Sequence, residues 1–274
     1  MRELMNRKTQ YVIRGGVEGR ERLRVLGRVM AESTGTLLDQ VNLTEGMTCL
    51  DVGCGGGDVT CELARRVAPV GRVVGVDIDE TKLSIARQEA AEQGLTNIEF
   101  RLSDASEISA TPEFDLVYSR FLLTHLKDPV SAVRSFLKQL RPTGFLVVED
   151  IDFSGSFNYP ESPAFQKFFD LYNTVVRHRG GDPNIGQRLP GILHDCGIQN
   201  LKVSVVQPTG LQGEVKQLNG LTMENIADAI LEEDLATPGE IDEIVKELYD
   251  YAADPRTLSG VPRVIQVWGR LPFA

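Results

Sequence analysis

A run of glycines and three aspartates form the part of the sequence best suited to chemistry. The run, DVGCGGGD, covers residues 51–58, and Asp77 follows twenty residues after its last glycine. Glycines let a backbone approach a ligand closely, and the start of a following helix offers free N–H groups to an anion. A carboxylate at the end of the next strand can accept both hydroxyls of a ribose. The spacing therefore predicts a site for an adenosine-containing ligand.

The glycine spacing differs from that of a dinucleotide-binding fingerprint. The fingerprint is G-x-G-x-x-G, whereas Asp58 stands where the third glycine belongs. Asp51, two residues before the first glycine, is a further difference. A glycine-rich loop alone is a weak signal, and its combination with Asp51 and Asp77 at the ends of predicted strands makes the assignment specific. A dehydrogenase therefore ranks below the other functions considered.

The segments around these residues alternate between β-rich runs and helical periodicity from Thr48 to Asp150. Asp128 is placed to cap the last of the helices. Alternation of this kind indicates an α/β fold with a doubly wound, mostly parallel sheet that has helices on both faces. The predicted strands are TCLDV, RVVGVDI, IEFRL, FDLVYS and GFLVVED, and the predicted helices are Asp58–Val67, Glu80–Gln93 and Pro129–Leu140.

Residues 1–41 and 151–183 flank the alternating region as two further segments. The second segment, between Phe153 and Tyr172, holds seven of the eighteen aromatic residues of the chain. Core packing explains most of them, and the alternative is that one or two line a pocket for an apolar substrate. The first segment contains a predicted helix, Arg20–Leu38, and a cluster of arginines: Arg14, Arg20, Arg22, Arg24 and Arg28. We expect the cluster to be a solvated face, and contact with a carboxylate is the alternative.

Two late strands, Leu201–Val206 and Arg263–Gly269, follow a helix predicted at Asn184–Cys196. Residues 208–258 lie between the strands and carry twelve acidic and three basic residues, which is typical of a solvated helical segment. A segment tuned for a cationic substrate is the alternative. Thr237 begins a capping box, and an apolar stripe at helical spacing follows it: Ile241, Ile244, Val245 and Leu248. Because such a stripe must be buried, we interpret residues 208–258 as a helical lid over the strand ends.

The composition is that of a globular protein. Of 274 residues, 42% are hydrophobic and 25% are charged, and no apolar run approaches the ~20 residues of a membrane span. The net charge of −10 disfavours a nucleic-acid partner, because phosphates require a positive face. The absence of an export signal predicts a cytoplasmic location with free thiols and no metal. A soft-metal site formed by Cys49, Cys54 and Cys61 is the alternative.

Taken together, these motifs resemble those of the class I S-adenosylmethionine-dependent methyltransferases. DVGCGGG is similar to the first motif of that family, VVGVDID to the second, FDLVYSRFLLTHL to the fourth-strand segment and LRPTGFLVVED to the fifth. The resemblance covers Asn42–Asp150 and is greatest to small-molecule enzymes of ubiquinone and menaquinone biosynthesis. It implies a Rossmann-like core of residues 42–207 and 259–274 that ends in an antiparallel strand, with S-adenosylmethionine as the cofactor.

The resemblance also implies roles for individual residues. The cofactor-binding set comprises a floor under the methionine part (Gly53, Gly55 and Gly57, preceded by Asp51), a ribose ligand (Asp77), an adenine pocket (Ile78, Asp104 and Ala105) and two residues near the methionine (Arg120 and Tyr11).

The chain departs from that family where the fourth strand ends. Residues 119–122 are SRFL rather than a tetrapeptide like NPPY, which disfavours methylation of a base nitrogen or a glutamine amide. His125 is the candidate catalytic base, because an imidazole titrates near neutrality, and a packing or capping role is the alternative. Glu149, Asp150 and Asp152 cluster at the end of the fifth strand, where we expect one of them to contact the acceptor.

The sequence therefore favours an enzyme that transfers a methyl group to a small organic molecule, with O-, N- and C-acceptors equally open. One rival hypothesis is a macromolecular methyltransferase that acts on RNA or protein. A second is a non-catalytic protein that binds S-adenosylmethionine.

Overall fold

A seven-stranded sheet forms the centre of the protein. The computed structural model describes residues 12–14, 19–105, 108 and 112–272. The strands are β1 (Thr48–Val52), β2 (Arg72–Asp77), β3 (Ile98–Leu102), β4 (Phe114–Arg120), β5 (Leu140–Asp152), β6 (Asn158–Tyr159), β7 (Gln199–Val206), β8 (Thr209–Gly210), β9 (Leu258–Gly260) and β10 (Arg263–Arg270). The large sheet has the order β3-β2-β1-β4-β5-β10-β7, and β6, β9 and β8 form a small second sheet.

The direction of the strands confirms the predicted fold class. The pairs β1–β2, β1–β4, β2–β3 and β4–β5 are parallel. β10 runs antiparallel to both of its neighbours, β5 and β7. The protein is therefore a doubly wound α/β fold with an antiparallel last strand.

Eight helices lie within the described part of the chain. They are α1 (Arg20–Val41), α2 (Asp58–Val67), α3 (Glu80–Glu92), α4 (Pro129–Leu137), α5 (Pro163–His178), α6 (Leu189–Asp195), α7 (Glu214–Glu232) and α8 (Pro238–Ala253). Local signals set several of their ends. The Asp128 side chain accepts the N–H of Ser131 at 2.9 Å, and Thr237 and Glu240 form the predicted capping box.

Helix α1 runs to Val41, three residues further than predicted, and α3 ends one residue earlier, at Glu92. Two other helices differ from the prediction for local reasons. α4 ends at Leu137, because the Gln139 N–H closes the helix on Phe136 while its carbonyl already accepts the N–H of Phe114 on β4. The helix predicted at 184–196 is a 3₁₀ turn followed by α6. Pro190 lacks an N–H and so fits the first turn of a new helix.

Helices cover both faces of the large sheet, as the doubly wound arrangement requires. Leu37 of α1 and Leu63 of α2 are buried on one face. Phe136 of α4 and Leu193 of α6 are buried on the other.

A separate apolar cluster joins α5, α7 and α8. Ile241, Ile244 and Leu248 of α8 are buried in it together with Phe165 and Phe168 of α5. The stripe at Thr237–Leu248 therefore packs on the aromatic-rich segment. Since α7 also packs against α1, the 208–258 segment is held from two sides.

Arg20, Arg24 and Arg28 of α1 contact carboxylates of other helices, so the alternative holds, although Arg24 and Arg28 also stay about half exposed. Arg20 is only 4% exposed, and its guanidinium donates to Asp58 at 3.0 Å and to Glu89. Arg28 donates to Glu214 at 2.6 Å. These carboxylates come from α2, α3 and α7, and their pairing with α1 could not be read from the helix itself.

Cys49, Cys54 and Cys61 are buried free cysteines. Within the residues that the structure describes, no three His, Cys, Asp or Glu side chains gather as metal ligands. Over the same residues, each helix is too short or too polar to cross a bilayer.

Candidate active site

A cavity of about 890 Å³ lies at the carboxyl ends of the parallel strands. Its volume is in the upper part of the ~300–1,000 Å³ range of small-molecule sites. We call the wall built by residues that follow β1 to β4 the loop side, and it includes Gly53, Gly55, Asp77, Ile78, Asp104, Ala105 and Arg120. We call a second group of lining residues the α7 side, and it includes Phe121, Phe153 and Phe168 together with Asn219, Thr222, Asn225 and Ala229 of α7.

The glycine loop builds the floor of the loop side. Gly53 has a φ of +74°, and a Cβ there would lie 3.1 Å from the Leu122 side chain. Gly55 also has a positive φ and lines the cavity. Gly57 does not line the cavity itself, although Gly55, Gly56 and Asp58 around it do, and its place in the floor stays a prediction. It precedes α2, where a Cβ would meet Phe100 at 3.0 Å.

Two aspartates at strand ends fasten this loop. Asp77 accepts the N–H of Gly55 and the N–H of Asp79, each at 2.9 Å. Asp51 is buried and accepts the hydroxyl of Thr60 at 2.6 Å. Burial raises the pKa of Asp51 to about 6, although the Thr60 hydrogen bond opposes the shift. Both aspartates line the cavity, and Asp77 is the more exposed of the two.

The remaining residues of the proposed adenine pocket follow β2 and β3. Ile78, Asp104 and Ala105 are half-buried in the cavity wall. The N–H of Ser103 donates to the Asp77 carbonyl at 3.0 Å, which keeps the two strand ends together. Tyr11 lies outside the described residues.

Arg120 reaches the cavity from the end of β4 and is tied to a buried network. Its Nη1 donates to the Thr34 hydroxyl at 3.0 Å, and this hydroxyl lies 3.4 Å from Oε1 of Glu149. Glu149 also accepts hydrogen bonds from Gln266, at 2.6 Å, and from the Tyr118 hydroxyl. Glu149 is fully buried and supports Arg120 through Thr34.

None of the three carboxylates at the end of β5 lines the cavity, so the expected acceptor contact is wrong. Glu149 belongs to the Arg120 network. Asp150 accepts the N–H of Thr124 at 3.2 Å, and Asp152 accepts from Arg263 at 2.8 Å. Each carboxylate therefore accepts a hydrogen bond from a different part of the structure. Their closeness in the sequence does not predict these separate partners.

His125 lines the cavity at the end of a 3₁₀ turn, Leu123–His125. The side chain is 6% exposed. Burial lowers its pKa to about 3, and the positive charges of Arg22 and Lys82 add to this effect. The expectation that His125 titrates near neutrality is therefore wrong. Its imidazole is neutral at pH 7 and weakly basic.

Arg20 and Thr34 support the cavity wall from behind, a role that the sequence analysis gave to neither of them. A Cβ at Gly56 would lie 2.3 Å from Nη1 of Arg20, so this guanidinium packs directly on the glycine loop. The arginine cluster before the loop was a usable signal for Arg20. Thr34 is a single threonine on a helix and carried no signal.

Residues 43–207 match the family model described as a methyltransferase domain. Because they are more than half of the chain, the chain belongs to the methyltransferase-domain family. The resemblance to class I S-adenosylmethionine-dependent methyltransferases is confirmed, and S-adenosylmethionine is the cofactor of that class.

Individual relatives match shorter parts. The chain is 30% identical to a ubiquinone/menaquinone biosynthesis C-methyltransferase of Idiomarina loihiensis over 146 residues. These residues cover 53% of this chain and 56% of that protein. Over 110 residues it is 39% identical to the nocamycin O-methyltransferase of Saccharothrix syringae, 39% of each chain. The chain thus spans about half or less of the length of these relatives. The YcgJ protein of Bacillus subtilis shares the fold, with a TM-score of 0.59 and 17% identity over 89% of this chain and all of that one.

The residues of the loop side fit this cofactor. A Cβ at Gly53 would crowd the Leu122 side chain, and both residues line the cavity. The Asp77 carboxylate stands at the end of β2, where a ribose can be held through its hydroxyls. The apolar side chain of Ile78 is the next residue, and Asp104 lines the same cavity with a carboxylate that would suit an adenine amino group.

A glycine substitution tests this fit. Gly53→Ala is expected to weaken S-adenosylmethionine binding at least tenfold, because the new methyl group must displace Leu122 or occupy the floor. Gly94→Ala is the matched control, since Gly94 has a φ of +71° and open space around its Cβ position. Both variants bear a backbone cost of roughly 1–2 kcal/mol. Calorimetric titration should find normal affinity in Gly94→Ala, and equal affinities in both variants would contradict the assignment.

Proposed function

We propose that the protein transfers a methyl group from S-adenosylmethionine to a small organic acceptor. The observation that carries the proposal is one cavity with two chemically different walls. The loop side has the glycines and carboxylates that suit an adenosine-bearing cofactor. The α7 side adds apolar and aromatic side chains, among them Phe121, Phe153 and Phe168. A small acceptor placed there lies beside the cofactor.

Within this proposal, the chain's residues mainly bind and orient. Asp77 holds the ribose, Ile78, Asp104 and Ala105 contact the adenine, and Gly53 and Gly55 leave room for the methionine part. Arg120 approaches the methionine part and is kept in place by Thr34 and Glu149. The bound cofactor supplies a methyl group on a positively charged sulfur, an electrophile that is already activated. Most of the rate enhancement can therefore come from positioning.

We further propose that residues 208–258 act as a lid over the acceptor. The α7 helix of this segment lines the cavity, and α8 packs behind it on the aromatic cluster. A lid excludes water from the reacting groups. The cytoplasmic location and the lack of a nucleic-acid partner stay predictions from the sequence.

The low pKa makes His125 a weak base, and a glutamine variant tests whether it acts as the proton acceptor that the sequence analysis expects. His125→Gln is expected to lower turnover more than cofactor affinity. If acceptor methylation needs no base at this position, turnover with the natural acceptor will be unchanged at every pH tested.

The acid stability of the protein tests the environment of His125 separately. An unfolded histidine gains its proton near pH 6.5, whereas folded His125 resists it until about pH 3. The free energy of unfolding should therefore fall as the pH drops below 6.5, by roughly 3 kcal/mol at pH 4.5 from this group alone. Burial raises the pKa of Asp150 to about 7, so this group makes the folded protein more stable as the pH falls. That effect is the same in the wild type and in His125→Gln. Urea unfolding should show a shallower acid loss in His125→Gln than in the wild type.

Methyl transfer itself is tested with S-adenosylmethionine labelled in its methyl group. The protein is incubated with a metabolite extract, with total RNA and with total protein, and labelled products are identified by mass spectrometry. Label in a small molecule supports the proposal, and label only in RNA or protein favours a macromolecular methyltransferase. Cofactor binding without any labelled product favours a non-catalytic binding protein.

A further inference from the structure

Asn225 on α7 carries a buried amide oxygen beside the cavity. The side chain is 7% exposed and lines the cavity. Its Nδ2 donates to the Leu221 carbonyl at 2.7 Å, which sets the orientation of the amide. Its Oδ1 is buried and receives no hydrogen bond from any residue that the structure describes. Buried oxygens of this kind are normally paired, so a bound molecule is the natural source of the missing donor.

The neighbouring polar groups on the same face of α7 already have partners. Thr222, three residues earlier, accepts a hydrogen bond from Nε of Arg22 at 3.1 Å. Asp228, three residues later, accepts two hydrogen bonds from Arg14, at 2.9 Å and 2.7 Å. Both Thr222 and Asp228 line the cavity. Asn225 lies between Thr222 and Asp228 on the helix. The two arginines donate to those residues, while Oδ1 of Asn225 receives no hydrogen bond within the described residues.

The rest of the α7 side would hold an apolar body. Phe121, Phe153 and Phe168 line it, and Ala229, one turn after Asn225, leaves space beside the amide. The wall therefore combines an apolar, aromatic surface with polar groups, and among the α7 groups in the described part of the chain the buried Asn225 oxygen is the one without a donor. A molecule that matches it carries a hydroxyl or N–H group on an apolar frame.

We propose that Asn225 determines the specificity for the methyl acceptor by accepting a hydrogen bond from a hydroxyl or N–H group on an aromatic-sized apolar molecule. That the bound molecule is a methyl acceptor rests on the proposed function, whereas the preference of the cavity for hydrogen-bond donors does not. Phenolic and ring N–H compounds belong to the favoured class, and their fully alkylated analogues do not.

Matched pairs of probes test the preference without any turnover. The pairs are 1-naphthol with 1-methoxynaphthalene, and indole with 1-methylindole. Ligand-observed NMR titration of the full chain gives a dissociation constant for each. The wild type is expected to bind the donor member of each pair about 3- to 10-fold more tightly, the range that one net hydrogen bond supplies.

Two variants separate Asn225 from a general effect of the helix. Asn225→Leu is expected to bring the ratio within each pair close to one. Asn173→Leu is the control, because Asn173 on α5 makes the same bond, Nδ2 to the Phe169 carbonyl at 2.7 Å, and lies outside the cavity wall. It should keep the wild-type ratio. Thermal melting checks folding, and Asn225→Ala replaces the leucine variant if that one does not fold.

Equal binding of both members by the wild type would overturn the proposal, as would a preference that survives in Asn225→Leu and Asn225→Ala. Failure of all four probes to bind would also count against it, because the wall should accept such frames. A preference that disappears in the Asn225 variants, in a protein that methylates nothing, would support the proposal and leave the proposed function alone refuted.

Discussion

An Asp77→Ala variant is expected to lose about 100-fold in affinity for S-adenosylmethionine and to lose methyl transfer with it. Hydrogen bonds to a charged group contribute about 1.5–3 kcal/mol each, and a ribose offers two hydroxyls, so about 3 kcal/mol is removed at the least. The carboxylate also accepts the N–H of Gly55 and of Asp79, so the loop loses support before any ligand binds. Calorimetric titration measures the affinity, and a competition assay with S-adenosylhomocysteine extends it to weak variants.

Asp115→Ala is the matched control for this experiment. Asp115 accepts the N–H of Thr48 at 2.8 Å, so it too is a carboxylate that holds a backbone group. Asp115 is the second residue of β4, beside the amino end of β1, and it does not line the cavity. Unchanged cofactor affinity is expected there. If Asp77→Ala binds the cofactor as tightly as Asp115→Ala does, Asp77 is not the ribose ligand.

A Lys216→Met variant is expected to lower the free energy of unfolding by about 3 kcal/mol and to reduce acceptor methylation more than cofactor binding. The Lys216 ammonium is buried and donates to the Leu211 carbonyl at 3.1 Å, to the Asp254 carbonyl at 2.7 Å and to Thr257. Methionine has a similar length but no donor, so buried carbonyls would lose their partner at about 1–3 kcal/mol each. These contacts join the two ends of the 208–258 segment, and their loss should loosen the proposed lid.

Lys246→Met is the matched control for the Lys216 variant. The Lys246 ammonium donates to Asp250 at 2.6 Å on the outer face of α8, and both side chains are largely exposed. Exposed pairs of this kind contribute little. Urea unfolding should therefore separate the two lysine variants clearly. A normal unfolding free energy in Lys216→Met would show that the buried ammonium is not what holds the segment.

Features that depend on neighbours in sequence were predictable. The glycine run must be followed by a turn and a helix start, and α2 begins at Asp58 as predicted. Asp128 and Thr237 cap their helices through bonds to residues three positions away. Asp77 lies at the carboxyl edge because its strand is parallel to β1. In each case the cause acts over a few residues or follows from the alternation of strands and helices.

The tertiary structure decided which charged and polar groups face the cavity. Glu149, Asp150 and Asp152 are neighbours in the chain, yet each is bound by a different element. Arg20 looked like part of a solvated face, but it meets Glu89, 69 positions away. Asn225 and Lys216 have no local pattern that marks them, because their roles depend on which distant atoms surround them after folding. A buried polar group is defined by the partners it gains or lacks, and packing brings those partners together from separate parts of the chain.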